Sequence, residues 1–280
     1  MIKTAALALL LAATPAAAEV RYATFTSSTL NKDVPYVVQL PPSYATSGAQ
    51  RYPVLYALHG LFESPGFWER RGLSQMLDSL WQKGDVPEMV VVAVDGDNSF
   101  FVDGPAGRWE QMLTRDFVTH VESTYRVRPG RAGRAALGVS MGGYAALRMA
   151  LGHPDLFRAV ATHSAMLLEQ MPTAEEGAGR WHMAAFHKVF GDPIDAALWA
   201  ANDPLALAPK ADAKTVPALY FDCGTEDRYG LFAGNRELHK RLEARGVPHE
   251  FALYPGDHGY EYVRTVLDKS LRFLGREFAR

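Results

Sequence analysis

Gly138-Val139-Ser140-Met141-Gly142 constrains this chain more than any other segment. An apolar run, Ala135-Ala136-Leu137, precedes it, and an Ala- and Leu-rich stretch over 143–151 follows. The order reads as strand, tight turn, helix, which is the context of a nucleophile elbow. So sharp a turn has no room for flanking side chains, and glycine stands two residues either side of Ser140. The serine hydroxyl is then held at a helix N-terminus, where free backbone N–H groups and the helix dipole favour developing negative charge. The bland reading of the same residues is a strand-to-helix turn whose serine caps the helix.

The rest of the chain has the alternation such an elbow needs. Residues 20–25 and 35–40 read as an antiparallel pair, and 53–58 and 89–94 as buried strands. The helical period appears over 67–81 and 109–125. After the elbow come strands at 158–162, 218–221 and 250–254, with helices over 229–245 and 260–278. Strands alternating with helices predict an α/β class, with a mostly parallel sheet covered on both faces and the order of an α/β-hydrolase fold. Residues 164–215 interrupt the alternation and carry Trp181, Trp199 and several methionines. They are expected to form a cap insertion over the strand ends, with packing on the sheet edge as the alternative.

The N-terminus adds a location. Met1-Ile2-Lys3 is followed by an apolar run to Ala13 and by Ala16-Ala17-Ala18-Glu19. That pattern predicts a signal peptide over 1–18, a catalytic domain over 19–280, and a periplasmic or secreted product. No later run approaches the length of a membrane span. The formal net charge of −2 across 280 residues gives no reason to expect nucleic acid or an anionic membrane as partner. Cys223 is the single cysteine, so no disulfide forms within the chain, and its setting at the end of an apolar strand predicts a packed, inert thiol.

A nucleophilic Ser140 needs a base and an acid, which follow it in the order acid, then histidine. Of the late histidines, His239 falls inside a helix and His249 starts a strand, whereas His258 lies in a loop after the last strand. His258 is therefore the expected base. Asp222, Glu226 and Asp227 are candidate acids after the preceding strand, and Asp227, just before the helix, is favoured. The backbone N–H groups of Met141 and of Leu61, after the 53–58 strand, are the expected oxyanion donors. His59 is expected to brace that loop, because no second ligand stands at metal-binding spacing. Phe62, Trp109 and Trp181 are the expected substrate-binding aromatics, chosen from a set that also holds Phe67, Trp68 and Phe100.

Three segments together resemble the esterase D family: Tyr52-Pro53-Val54-Leu55-Tyr56-Ala57-Leu58-His59-Gly60, Gly138-Val139-Ser140-Met141-Gly142-Gly143 and His153-Pro154-Asp155-Leu156-Phe157. Asp222-Cys223-Gly224-Thr225-Glu226-Asp227 and Gly256-Asp257-His258 complete the match. The family includes S-formylglutathione hydrolases, mycolyltransferases, and feruloyl, acetyl and tributyrin-type esterases. The resemblance implies a Ser140–His258–Asp227 triad with Leu61 and Met141 at the oxyanion hole, and it supports Asp227 over Asp222. The expectation is a serine carboxylesterase acting on short-chain acyl esters, with a small-molecule ester as partner and no metal or organic cofactor. The alternatives are an acetyl or feruloyl esterase on plant polysaccharide, an acyltransferase, and a non-catalytic binding protein.

Overall fold

A computed structural model describes residues 18–173 and 183–280. Eight strands form one sheet: β1 (Glu19–Ser27), β2 (Lys32–Leu40), β3 (Val54–Leu58), β4 (Val90–Val94), β5 (Arg134–Val139), β6 (Ala159–His163), β7 (Ala218–Gly224) and β8 (His249–Tyr254). Their order across the sheet is β1-β2-β4-β3-β5-β6-β7-β8. The β1–β2 and β2–β4 pairs are antiparallel and every other pair is parallel. This is the predicted α/β-hydrolase architecture.

The central strands read as unbroken apolar runs because both faces are covered. Along β3, Val54, Tyr56 and Leu58 enter one core while Leu55 and Ala57 enter the other. Val90, Val92 and Val94 of β4 likewise face away from Val91 and Ala93. On the first face lies α5 (Met141–Gly152), which contributes Tyr144, Leu147 and Met149. The second face is covered by α2 (Leu73–Gln82) through Leu73, Leu77 and Leu80, and by α10 (Tyr260–Ala279) through Val263, Val266 and Leu271.

Two expected helices differ in detail. The 67–81 helix is two pieces, α1 (Phe67–Arg70) and α2, because Gly72 between them takes a left-handed φ of 85°. The 109–125 stretch contains α3 (Trp109–Gln111), a π-helical segment (Met112–Phe117) and α4 (Val118–Thr124). Beyond β6, the described part of 164–215 contains α6 (Met183–Phe190), α7 (Ala196–Asn202) and α8 (Pro204–Leu207). Phe186, Phe190 and Trp199 from these helices form an aromatic cluster, in which Phe186 stacks on Phe100 at 5.0 Å. The last interstrand helix is α9 (Leu231–Ala244).

The chain leaves β3 toward β4 on one side and later returns through β5 on the other. Such a reversal opens a crevice at the carboxyl ends of the two strands. The loops after β3 and β5 meet there.

Candidate active site

Ser140 follows β5 with φ 53° and ψ −116°, a conformation a non-glycine residue adopts only when its surroundings enforce it, at a cost of about 1–3 kcal/mol. The Ser140 N–H donates to the His163 carbonyl at 3.1 Å. Its own carbonyl accepts from Tyr144 and Met166 N–H, each at 2.9 Å. Close approach explains both elbow glycines. A Cβ on Gly138 would stand 2.2 Å from the Gly142 carbonyl oxygen, and one on Gly142 would stand 2.3 Å from that of Leu58. The Ser140 side chain makes no capping hydrogen bond to α5, so its hydroxyl is not engaged as the bland reading requires.

Asp227 and His258 are brought together from different loops. His258 Nδ1 lies 2.9 Å from Asp227 Oδ2. The Asp227 side chain is fully buried, and its Oδ1 accepts the Tyr229 N–H at 3.0 Å. A carboxylate fixed in this way holds the imidazole proton on Nδ1 and leaves Nε2 to act as base. The two loops are themselves tied, Glu226 N–H donating to the Gly256 carbonyl at 2.9 Å. Arg228 and Asp257 close the join: Arg228 Nε donates to Asp257 Oδ2 at 2.7 Å, and Asp257 Oδ1 accepts the His258 N–H at 2.5 Å. The Arg228 guanidinium holds the Asp257 carboxyl well below the usual carboxylate range. Sequence reasoning missed this clamp, although Asp257 directly precedes His258.

Asp222 has a different role. It lies in register with His163 on the neighbouring parallel strand, and His163 Nδ1 sits 2.9 Å from its Oδ2. Tyr220 and Tyr262 hydroxyls donate to the same carboxylate at 2.8 and 2.7 Å. The other ring nitrogen of His163 lies 2.9 Å from Ser270 Oγ. This is a second serine, histidine and aspartate in contact, but all three are fully buried, so no substrate reaches them. The group joins β6, β7 and α10, and Tyr262 then packs on the His258 loop at Gly256. Glu226 is exposed. His239 and His249 pair with each other at 2.8 Å.

On the β3 side, His59 is fully buried. Its Nε2 accepts the Gly96 N–H at 2.9 Å, which places the ring proton on Nδ1, 2.8 Å from the Gly60 carbonyl oxygen. In a trans peptide the carbonyl and the next N–H point in opposite directions, so His59 turns the Leu61 N–H away from itself. Gly60 and Leu61 line the same cavity as Ser140 and His258. A Cβ on Gly60 would lie 3.5 Å from Ser140 Cβ. Met141 opens α5, so its N–H has no carbonyl one helical turn back.

The cavity holds about 400 Å³, at the small end of ligand pockets. Phe67, Met166, Leu168, Tyr229 and Tyr260 supply its apolar and aromatic wall, with Arg71 and Glu63 beside them. Two expected aromatics are not part of it. Trp109 is buried in the core, its indole N–H donating to Ala106 and its ring covered by Lys32 at 4.4 Å. Phe62 follows the loop at φ 60° and is 61% exposed, outside the residues that line the cavity. Trp181 lies outside the described residues, as does 1–17 of the expected leader. Phe67 was in the wider aromatic set, whereas Tyr229 and Tyr260 carried no sequence signal. Cys223 is buried, and burial, with Asp227 nearby, pushes its thiol pKa up, consistent with an inert group. Among the described residues no three His, Cys, Asp or Glu are placed to hold a metal ion, and no helix is long and apolar enough to cross a membrane.

Comparison with known proteins gives the family. The chain is 29% identical to a ferulic acid esterase of known structure, with a TM-score of 0.79 over 94% of this chain and 99% of that one. An S-formylglutathione hydrolase from Agrobacterium tumefaciens shares the fold at a TM-score of 0.74 and 20% identity, covering 95% of this chain and 97% of that one. Esterase Rv1288 of Mycobacterium tuberculosis (strain ATCC 25618 / H37Rv) is 27% identical over 270 residues, which is 88% of this chain and 57% of that protein. The chain thus spans little more than half the length of this curated relative. The family model described as "Putative esterase" matches residues 27–274, and the resemblance to esterase D-type proteins holds. On these findings the chain belongs to the putative esterase family.

Proposed function

We propose that this chain is a serine carboxylesterase of short-chain acyl esters, with Ser140, His258 and Asp227 as its triad. The observation that carries the reading is that His258, held 2.9 Å from Asp227, lines the same cavity as Ser140. His258 Nε2 takes the Ser140 proton as Oγ attacks the ester carbonyl. The resulting oxyanion is met by the Leu61 and Met141 N–H groups, reinforced by the α5 dipole. His258 then protonates the departing alcohol, leaving an acyl-serine. Water, deprotonated by the same imidazole, attacks that ester, and the acid leaves as Ser140 regains its proton.

A cavity of about 400 Å³ suits a short acyl chain or a single ring. Aromatic residues at its wall, and a relative named ferulic acid esterase, favour one second reading: hydrolysis of hydroxycinnamate esters. The leader-like start of the chain supports a periplasmic or secreted location. The test is a rate profile on p-nitrophenyl esters from acetyl to palmitoyl, with methyl ferulate included and Ser140→Ala beside the wild type. Rates that peak at short chains and vanish in the variant are expected. A peak at ferulate selects the second reading, and turnover that survives Ser140→Ala removes both.

A further inference from the structure

Arg71 stands at the break between α1 and α2, beside the left-handed Gly72, and it lines the same cavity as Ser140 and His258. Its guanidinium lies 4.8 Å from the Tyr260 ring centroid and 5.6 Å from that of Phe67. Stacking between rings fixes a guanidinium while using none of its five N–H donors. Among the described residues the nearest carboxylate oxygen, Glu63 Oε1, is 3.7 Å from Arg71 Nη2, too far for a hydrogen bond. Glu63 is also shared, since Arg70 Nη2 donates to its other oxygen at 3.4 Å. Glu63 is thus divided between two guanidiniums, Arg70 and Arg71.

Arg228, on the same wall, provides the contrast. Its Nε and Nη2 both bond Asp257, so the forked edge that would take a carboxylate already holds one. Arg71 has its side chain 40% exposed and also lines the adjoining groove formed by Pro255–Tyr262. An ester whose carbonyl sits at Ser140 therefore has, within the same enclosure, a cation whose side-chain donors meet no acceptor at hydrogen-bond distance among the described residues. The group that matches a planar, forked donor is a carboxylate, taken in two parallel hydrogen bonds.

We propose that Arg71 is a specificity-determining residue and that the preferred esters carry a carboxylate that it binds. The proposal rests on the esterase reading above. The carboxylate is either on the acyl part, as in a hemi-ester of a dicarboxylic acid, or on the alcohol part. A purely structural Arg71, bracing Tyr260 and Phe67, would serve neutral and anionic esters alike.

Two matched pairs separate these cases. The acyl pair is p-nitrophenyl butyrate against p-nitrophenyl hemisuccinate, and the alcohol pair is phenyl butyrate against 4-carboxyphenyl butyrate. For each pair the anionic-to-neutral ratio of kcat/KM is compared among wild type, Arg71→Gln and Arg71→Lys, so that intrinsic leaving-group differences cancel. One pair is expected to show a ratio that falls about 10–100-fold in Arg71→Gln, the worth of a charge-assisted hydrogen bond. Arg71→Lys should recover part of it, and added salt should weaken the wild-type preference. The pair that responds identifies which side of the ester carries the charge. Ratios that stay within twofold of wild type in both pairs, with the neutral ester still hydrolysed, overturn the role of Arg71. A folded wild type that hydrolyses none of the four overturns the esterase reading, and this proposal with it.

Discussion

Glu110, in α3, ties the elbow helix to the rest of the molecule, and its removal has a calculable cost. Arg148, buried on α5, donates to Glu110 Oε2 at 2.5 Å and to the Phe101 carbonyl at 2.7 Å. His153 Nε2 lies 2.5 Å from the other Glu110 oxygen. Burial alone would raise the Glu110 carboxyl, but the His153 and Arg148 contacts overcome it and hold it at about 2, against an ordinary value of 4.5. A gap of that size corresponds to roughly 3 kcal/mol. The side chain retains 18% exposure, and allowing for solvent screening lowers this to roughly 2–3 kcal/mol. Because the folded value is depressed, the stabilisation is fully present above about pH 4.5 and is lost as pH falls through about 2. Glu110→Gln copies the protonated acid. Urea unfolding at pH 7 should show the variant less stable by roughly 2–3 kcal/mol, and at pH 3 the difference should shrink to about 1 kcal/mol. A difference under about 0.5 kcal/mol at pH 7, or one that does not change with pH, would refute the reasoning.

Other substitutions test the site directly. Asp227→Asn should lower kcat on p-nitrophenyl butyrate by about 10⁴ with the circular dichroism spectrum unchanged, through loss of the required tautomer; a loss under tenfold is the contrary result. Leu61→Pro deletes a backbone N–H and should cost on the order of 10²–10³ in kcat, whereas Leu61→Ala, which keeps it, should cost far less. Equal losses in the two would remove the Leu61 N–H from the mechanism. Trp109→Ala should lower unfolding free energy by roughly 3–5 kcal/mol, with KM for a short-chain ester within twofold of wild type at a temperature where both are folded. A KM raised severalfold with little destabilisation would return Trp109 to the pocket.

The sequence displayed the site where chemistry is local and concealed it where register and loops bring distant residues together. Residues 53–58, 89–94 and 135–139 are unbroken apolar runs because those strands are buried on both faces, which is the signal that gave the sheet. The elbow was legible because close approach at Gly138 and Gly142 leaves no freedom of residue type. Placement in a loop, against a helix interior and a strand start, separated His258 from His239 and His249. By contrast, His163 and Asp222 are partners only because β6 and β7 align them across 59 positions. Tyr229, Tyr260 and Arg71 reach one cavity from three separate stretches of chain, and no spacing records that. The Gly72 break was hidden because the apolar period of 67–81 continues across it. Trp109 was misplaced because a large aromatic after a polar loop has the same sequence appearance whether it enters a pocket or, as here, the core.

The central claim is that Ser140 is the nucleophile. Its most direct test is reaction of the full chain with a fluorophosphonate probe, with the modified peptide identified by mass spectrometry and residual ester hydrolysis followed in the same samples. One equivalent of label is expected, located on Ser140, accumulating in step with loss of hydrolysis, and absent in Ser140→Ala. Label on another residue, or hydrolysis undiminished once Ser140 is fully labelled, would contradict it.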